Sequence, residues 1–167
     1  SQGFHPQPKI HLAAALPLGF TSECEIVDVW LTEAVGVESA MAELHRATSP
    51  GIEIKSVRDV AESLPALQTL VRSADYVATV PGDVSGLDQR VAELLSAATL
   101  PRERRGKVYD LRPLIESLSL ESNVVRMRLA ARDAATGRPE EVLAALGLED
   151  RQVAVHRTAL HFIDNAG

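Results

Sequence analysis

The sequence is poor in the residues that most often identify a chemical site. One of its 167 residues is a cysteine, Cys24, which excludes an internal disulfide and a cysteine cluster for zinc or iron–sulfur. Aromatic residues make up 4%, few for a sheet that stacks nucleic-acid bases. No run of eighteen apolar residues occurs, and the glycines stand singly, so neither a membrane span nor a glycine-rich phosphate loop is predicted. We therefore expect a cytoplasmic chain that binds no metal, cofactor or membrane.

The charge of the chain is divided unevenly. The net charge is −6, which argues against a surface that binds nucleic acid everywhere. Residues 102–138, however, contain nine basic and five acidic side chains, a net of +4, which leaves −10 for the rest. Such a division can direct an anionic ligand to one region.

The opening stretch, residues 1–18, combines a stiff loop with an alternating strand. Prolines on either side of Gln7 hold the approach extended, so that Phe4 and His5 are presented on a loop. Ile10, Leu12 and alternate residues up to position 16 then share one face, which predicts a half-buried strand.

The rest of the first half predicts the order β-β-α-β. A second strand is expected over residues 24–32, a helix where Val37, Met41 and Leu44 form one stripe, and a third strand over residues 52–59. Residues 60–73 are interrupted by Pro65 and are interpreted as a connector between two domains.

The second half predicts the order β-α-β-β-α-β. Strands are expected at 75–80, 114–120, 124–133 and 153–163, and helices after a capping box at Ser85–Asp88 and from Pro139. Residues 102–106 are expected to form a basic loop.

We predict an α+β fold of two tandem ferredoxin-like (βαββαβ) units, at residues 1–62 and 63–167. The first unit lacks the opening strand and helix, so an uncovered edge or apolar face is expected there. Because the chain opens with Ser1 in the middle of a motif, we also expect a segment before it in the natural protein.

The candidate anion- or RNA-binding residues are mostly basic. They are Phe4, His5, Lys9, Arg102, Arg104, Arg105, Lys107, Arg112, Arg126 and Arg128. Arginine suits phosphate because its planar fork donates two parallel hydrogen bonds. Arg126 and Arg128 would lie roughly 7 Å apart on one strand face, about one phosphate spacing. The alternative is a solvated sheet face that Glu116 and Glu121 balance from the neighbouring strand.

His5 is the weak catalytic candidate, as a general base that titrates near neutral pH. The alternative is a turn histidine that caps backbone groups beside Phe4. No nucleophile or acid at a recognisable spacing accompanies it, so we expect no catalysis by this chain alone.

Two motifs carry a family resemblance that extends over essentially the whole chain. SQGFHP at residues 1–6 and KVYDLRPLI at residues 107–115, in combination, resemble the radical SAM-linked protein family, a bacterial domain of unknown function. Members are encoded beside or fused behind a radical SAM enzyme, often near a ribonuclease G gene. The resemblance implies a radical SAM protein as partner. The three-cysteine cluster motif of those enzymes is absent here, so radical chemistry is not expected of this chain.

Three functional hypotheses remain open. The first is a non-catalytic accessory domain that presents RNA, or an RNA-linked substrate, to the radical SAM partner. The second is a protein-interaction module without nucleic-acid contact. The third is a metal-independent ribonuclease that uses His5.

Overall fold

The structure, a computed structural model, describes residues 9–132 and 135–163. It has an α+β fold, in agreement with the predicted class. The strands are Ile10–Leu12 (β1), Thr21–Ser22 (β2), Val27–Val29 (β3), Val71–Thr79 (β4), Pro101–Arg104 (β5), Lys107–Asp110 (β6), Ile115–Glu121 (β7), Val124–Arg132 (β8), Ala135–Thr136 (β9) and Ala154–Phe162 (β10). The helices are Val37–Ala47 (α1), Leu67–Leu70 (α2), Leu87–Ser96 (α3) and Pro139–Ala145 (α4), with a 3-10 turn at Arg112–Leu114.

The second half follows the predicted β-α-β-β-α-β order. Its sheet runs β10-β4-β8-β7, and each of these neighbouring pairs is antiparallel. This strand order is the one that a split β-α-β arrangement produces. Two short strands extend the sheet, β2 in parallel beside β10 and β9 beside β8.

The hydrophobic core lies between one face of this sheet and helices α3 and α4. Strand β4 alternates from Ala74 onward, so Ala74, Tyr76 and Ala78 are buried while the residues between them point to the other face. Helix α3, which was predicted here, buries Leu87, Val91 and Leu94 at the spacing of one helical stripe. Of the apolar side chains buried in the described structure, Ala13 alone comes from the first sixty residues.

The first half departs from the predicted β-β-α-β order. Strands β1 and β3 pair only with each other among the described residues, and residues 52–59 form no strand. A strand needs a neighbour for its backbone groups. Here the Ile54 carbonyl is instead bonded to the His45 ring at 3.0 Å. The tandem arrangement of two such units is therefore not established.

The predicted half-buried strand at residues 9–16 is also shorter and more exposed than expected. Ile10 and Leu12 are 52% and 53% exposed, and they lie directly across from Val29 and Val27, which are 44% and 46% exposed. We call these four side chains the ribbon face. The alternation was read correctly, but the apolar face that it identified carries no covering layer in the described structure.

Two local predictions in the second half are wrong. The residue before helix α3 is Gly86, with φ +71°, and the predicted capping box does not form. The Ser85 amide and hydroxyl both donate to Asp83 instead. The predicted basic loop is a hairpin, β5–β6, that turns at Arg105 and Gly106, with φ +52° and +74°. Two consecutive positive φ angles define the turn that fits a two-residue hairpin.

The two halves are joined by a buried guanidinium, that of Arg157 on β10. Its side chain is fully buried and donates to the carbonyls of Ala14 and Ala15 at 3.1 and 2.7 Å. The same group contacts the Glu25 carboxylate at 3.2 Å and lies 5.7 Å from the centre of the Tyr76 ring. Its charge is thus compensated by groups of the first half.

We predict that Arg157→Gln lowers the free energy of unfolding by about 2–4 kcal/mol, because the carbonyls of Ala14 and Ala15 and the Glu25 carboxylate lose a buried charged donor. Chemical denaturation measures the loss. Arg126→Gln is the matched control, since Arg126 belongs to an exposed ion pair whose removal costs within about 1 kcal/mol. Equal stability of the two variants would contradict the role assigned to Arg157.

Candidate functional site

The face of the main sheet opposite the core is open and polar. Strands β4, β7 and β8 place on it Asp75, Ser117, Ser119, Arg126 and Arg128. These residues and Thr158 line a shallow pocket of about 260 Å³, which we call the open-face pocket. Arg126 and Arg128 are two residues apart on β8, so their side chains lie on the same face of the sheet, as predicted.

Asp75 lies at the centre of an ion-pair cluster on this face. Its carboxylate accepts from Arg128 Nε at 2.6 Å and Nη2 at 2.9 Å, and it contacts His161 Nε2 at 2.9 Å. The hydrogen bond from Arg128 is the main cause that lowers the pKa of Asp75, and the contact with His161 acts in the same direction, whereas partial burial opposes both. The cluster therefore fixes the plane of the Arg128 guanidinium.

Arg126 is paired as well, but at the surface. Its Nε donates to Glu121 at 2.9 Å, and both side chains are mostly exposed. The sequence suggested that Glu116 and Glu121 of the neighbouring strand balance the two arginines. Glu121 does pair with Arg126, but Arg128 pairs with Asp75 and not with Glu116.

Two of the predicted anion-binding arginines are held by the protein itself. Arg104 donates to both carboxylate oxygens of Glu141 at 2.6–2.8 Å and to the Tyr109 hydroxyl at 3.2 Å. Arg112 donates to the Leu95 carbonyl at 2.9 Å and to that of Ile115 at 3.3 Å. Their guanidiniums connect the hairpin and the α3 end to the body of the domain, so they do not offer an open phosphate site.

The hairpin leaves three cations near solvent. Arg105 lies at the turn and Lys107 follows it, both exposed, while Arg102 is partly exposed and contacts the carbonyl of Pro101. We call Arg102, Arg105 and Lys107 the hairpin cations. Strand pairing places Arg104, which Glu141 holds, directly opposite the exposed Lys107 on the same hairpin.

The predicted residues of the N-terminal region divide between described and undescribed parts. Phe4 and His5 lie outside the described residues. The Lys9 ammonium is 3.9 Å from the centre of the Trp30 ring, and His11 meets the same ring edge-on at 4.7 Å. A cation over an aromatic face is a stabilising contact, so Lys9 is engaged within the ribbon.

Sequence reasoning missed the acids and the histidine that organise these arginines. Asp75 precedes Arg128 by 53 residues and His161 by 86, and Glu141 follows Arg104 by 37. No local spacing connects such partners. The one available signal was the alternation of β4, which places Asp75 on the polar face of a strand that is otherwise rich in alanine and valine.

Neither a metal centre nor a membrane span emerges from the described residues. They contain no group of three or more His, Cys, Asp or Glu side chains that could hold a metal ion. None of their helices combines the length and the apolar character that crossing a bilayer requires.

Comparison with known proteins identifies one family. The model of the family described as "Uncharacterized protein conserved in bacteria (DUF2344)" matches residues 1–139. The chain belongs to this family. No curated protein and no solved structure gives a significant match.

The Asp75 cluster generates a prediction about acid stability. Because the pKa of Asp75 is lower in the folded chain than in the unfolded chain, its ionised form stabilises the fold above the ordinary aspartate range, near pH 4. That contribution is lost as the pH falls through the folded pKa. Asp75→Asn should thus be less stable than the natural chain near pH 7, and the difference should shrink on acidification, as urea denaturation over a pH series would show.

Arg128→Gln tests the cause of this effect. If Arg128 holds the pKa down, this variant should also show the weaker acid dependence. Stability curves that stay parallel for all three proteins across the pH series would contradict the assignment.

Proposed function

We propose that this member of the family is a non-catalytic accessory domain that docks on a partner protein through the ribbon face. The observation that carries the proposal is the exposure of Ile10, Leu12, Val27 and Val29 in two directly opposed cross-strand pairs. Cross-strand neighbours lie about 5 Å apart, so these four side chains form one contiguous apolar surface. Contiguous apolar surface on a folded domain is typical of interaction sites.

The isolation of the ribbon supports the same proposal. A two-stranded ribbon is marginally stable by itself and gains stability when a further strand or a covering layer is added. No further described strand pairs with the ribbon, and α1, which follows β3, is amphipathic and also buries none of its residues. A partner that covers the ribbon face would complete the first half in the way that α3 and α4 complete the second.

The charge around this face indicates the kind of partner. Residues 9–62 carry nine acidic and four basic side chains, a net of −5. A complementary surface would thus be apolar at its centre and basic at its rim. The resemblance to radical SAM-linked proteins supplies the candidate, the radical SAM protein encoded beside this domain. On this proposal the ribbon belongs to an incomplete first ferredoxin-like unit, and the partner occupies its open side.

A binding experiment with matched substitutions tests the docking proposal. Val27→Glu and Val29→Glu, each placed on the ribbon face, should weaken binding to that radical SAM protein by about tenfold or more in calorimetric titration. Val108→Glu is the control, because Val108 is an exposed strand valine, at 75%, outside the ribbon. Its affinity should stay within about twofold of the natural chain.

Equal weakening by all three variants would assign the effect to charge alone. Unchanged affinity in the two ribbon variants, with their circular dichroism and melting curves intact, would refute the docking proposal.

A second candidate function, RNA presentation, is favoured by the hairpin cations. They lie on one short hairpin, Arg102 on β5, Arg105 in the turn and Lys107 on β6, within the +4 segment of the chain, which suits contact with the phosphates of a single strand. Described aromatic side chains near the hairpin are few, and Tyr109 is engaged by Arg104. Binding would consequently depend on backbone charge and not on base stacking.

The RNA candidate predicts a specific salt dependence. Replacing Arg102, Arg105 and Lys107 with glutamine should weaken binding to a random single-stranded RNA pool and reduce the log–log salt slope by about 2, at about 0.7 per lost phosphate contact. Arg46, Arg58 and Arg72→Gln is the control, since it removes three exposed charges elsewhere. If both triple variants behave alike, or neither changes the slope, RNA does not bind at the hairpin.

A further inference from the structure

We propose that the open-face pocket binds a single tetrahedral oxyanion, the phosphate group of a phosphate monoester, between Arg126, Arg128, Ser117 and Ser119. This proposal depends neither on the ribbon face nor on the hairpin cations. The sequence suggested that Arg126 and Arg128 contact two successive phosphates of an RNA strand. Both arginines instead line the same small pocket.

The strand register arranges four donors around the pocket. Ser117 lies directly across from Arg128, and Ser119 lies directly across from Arg126. Directly opposed side chains are about 5 Å apart, and alternate residues along a strand about 7 Å, so the Cβ atoms of the two serines and the two arginines form the corners of a compact quadrilateral. Hydroxyl and guanidinium donors around one point are the chemistry that recognises phosphate oxygens.

Each arginine keeps donors for a ligand. Arg128 uses Nε and Nη2 for Asp75, and Nη1 has no acceptor among the described residues. Arg126 uses Nε for Glu121 and leaves both of its terminal nitrogens without an acceptor in the same part of the chain. The carboxylates therefore occupy one edge of each guanidinium while other N–H groups remain for the pocket.

The charges around the pocket set the size of the ligand. Arg126 and Arg128 are balanced by Glu121 and Asp75, with His161 beside Asp75. A balanced site gives no strong long-range attraction to a polyanion, so directed hydrogen bonds must supply the affinity. We thus expect a compact oxyanion bound at the pocket, with the rest of the ligand in solvent.

Asp75 acts as a positioning residue in this arrangement. Its bidentate pair with Arg128 fixes the direction of the remaining Nη1 donor, and His161 holds the carboxylate from the other side. Preorganised donors lose less conformational entropy when the ligand arrives. The loss of Asp75 should consequently release the Arg128 side chain, which a ¹⁵N spectrum of the guanidinium Nε–H reports directly.

The test is an NMR titration of the chain at constant ionic strength with inorganic phosphate, a nucleoside 5′-monophosphate and the nucleoside alone. Both phosphate probes should give saturable shifts at the backbone amides of Ser117, Ser119, Arg126 and Arg128, and the nucleoside should give none. The two probes distinguish free phosphate from a phosphate carried by a larger molecule. Non-saturable shifts, or equal shifts with the bare nucleoside, would overturn the proposal.

Variants make the test specific. Arg128→Gln should weaken phosphate binding by about tenfold or more, and Ser117→Ala with Ser119→Ala should weaken it by about fivefold or more without any change of charge. Arg72→Gln removes an exposed charge from the same sheet and should stay within about twofold. Asp75→Asn should weaken binding and broaden the Arg128 Nε–H signal together. Unchanged phosphate affinity in the arginine and serine variants would refute the site. If one of these variants folds poorly, the phosphate affinity of the other still decides the question.

Discussion

The fold depends on one buried charge, the guanidinium of Arg157. The second half builds a complete core from sheet and helices, whereas the described residues of the first half contribute Ala13 as a buried apolar side chain and Phe20 as a partly buried one that packs against the core. Hydrophobic burial is therefore a small part of what holds the first half in place. The backbone carbonyls of Ala14 and Ala15 and the Glu25 carboxylate supply polar partners to the terminal nitrogens of this buried guanidinium, while its Nε has no partner among the described residues. The junction is polar and directional, so it fixes how the ribbon is oriented against the sheet.

Four of the arginines predicted to bind anions divide into two kinds, and the division limits what the domain can bind. Arg104 and Arg112 are committed to Glu141 and to backbone carbonyls, and they hold the hairpin and the end of α3 in place. Arg126 and Arg128 are paired along one edge and open along the other. Some of the arginines in the positive segment therefore stabilise the fold, and a few keep N–H donors for a ligand. The segment does not form a surface that attracts anions uniformly.

The main sheet and its helices could be predicted from the sequence because their hydrophobic periods agree with their packing. The α3 stripe and the alternation of β8 are examples, and both are confirmed. The hairpin was missed because Arg105 takes a positive φ that arginine rarely adopts. The pairing of Asp75 with Arg128 and His161 was missed because it joins three strands. An uncovered edge or apolar face was expected in the first unit, but the alternation did not locate it at Ile10 and Leu12, because a pattern identifies an apolar face but not what covers it.

The position of Arg157 in the chain has a consequence for biosynthesis. It lies on the last strand, 143 and 142 residues beyond the carbonyls of Ala14 and Ala15 that it binds. Contacts between such distant residues form late, since a long loop must close first. As the chain leaves the ribosome from its N-terminal end, the ribbon emerges long before the strand that anchors it. Its apolar side chains are then exposed to any chaperone or co-translational partner until the strand that carries Arg157 has been synthesised.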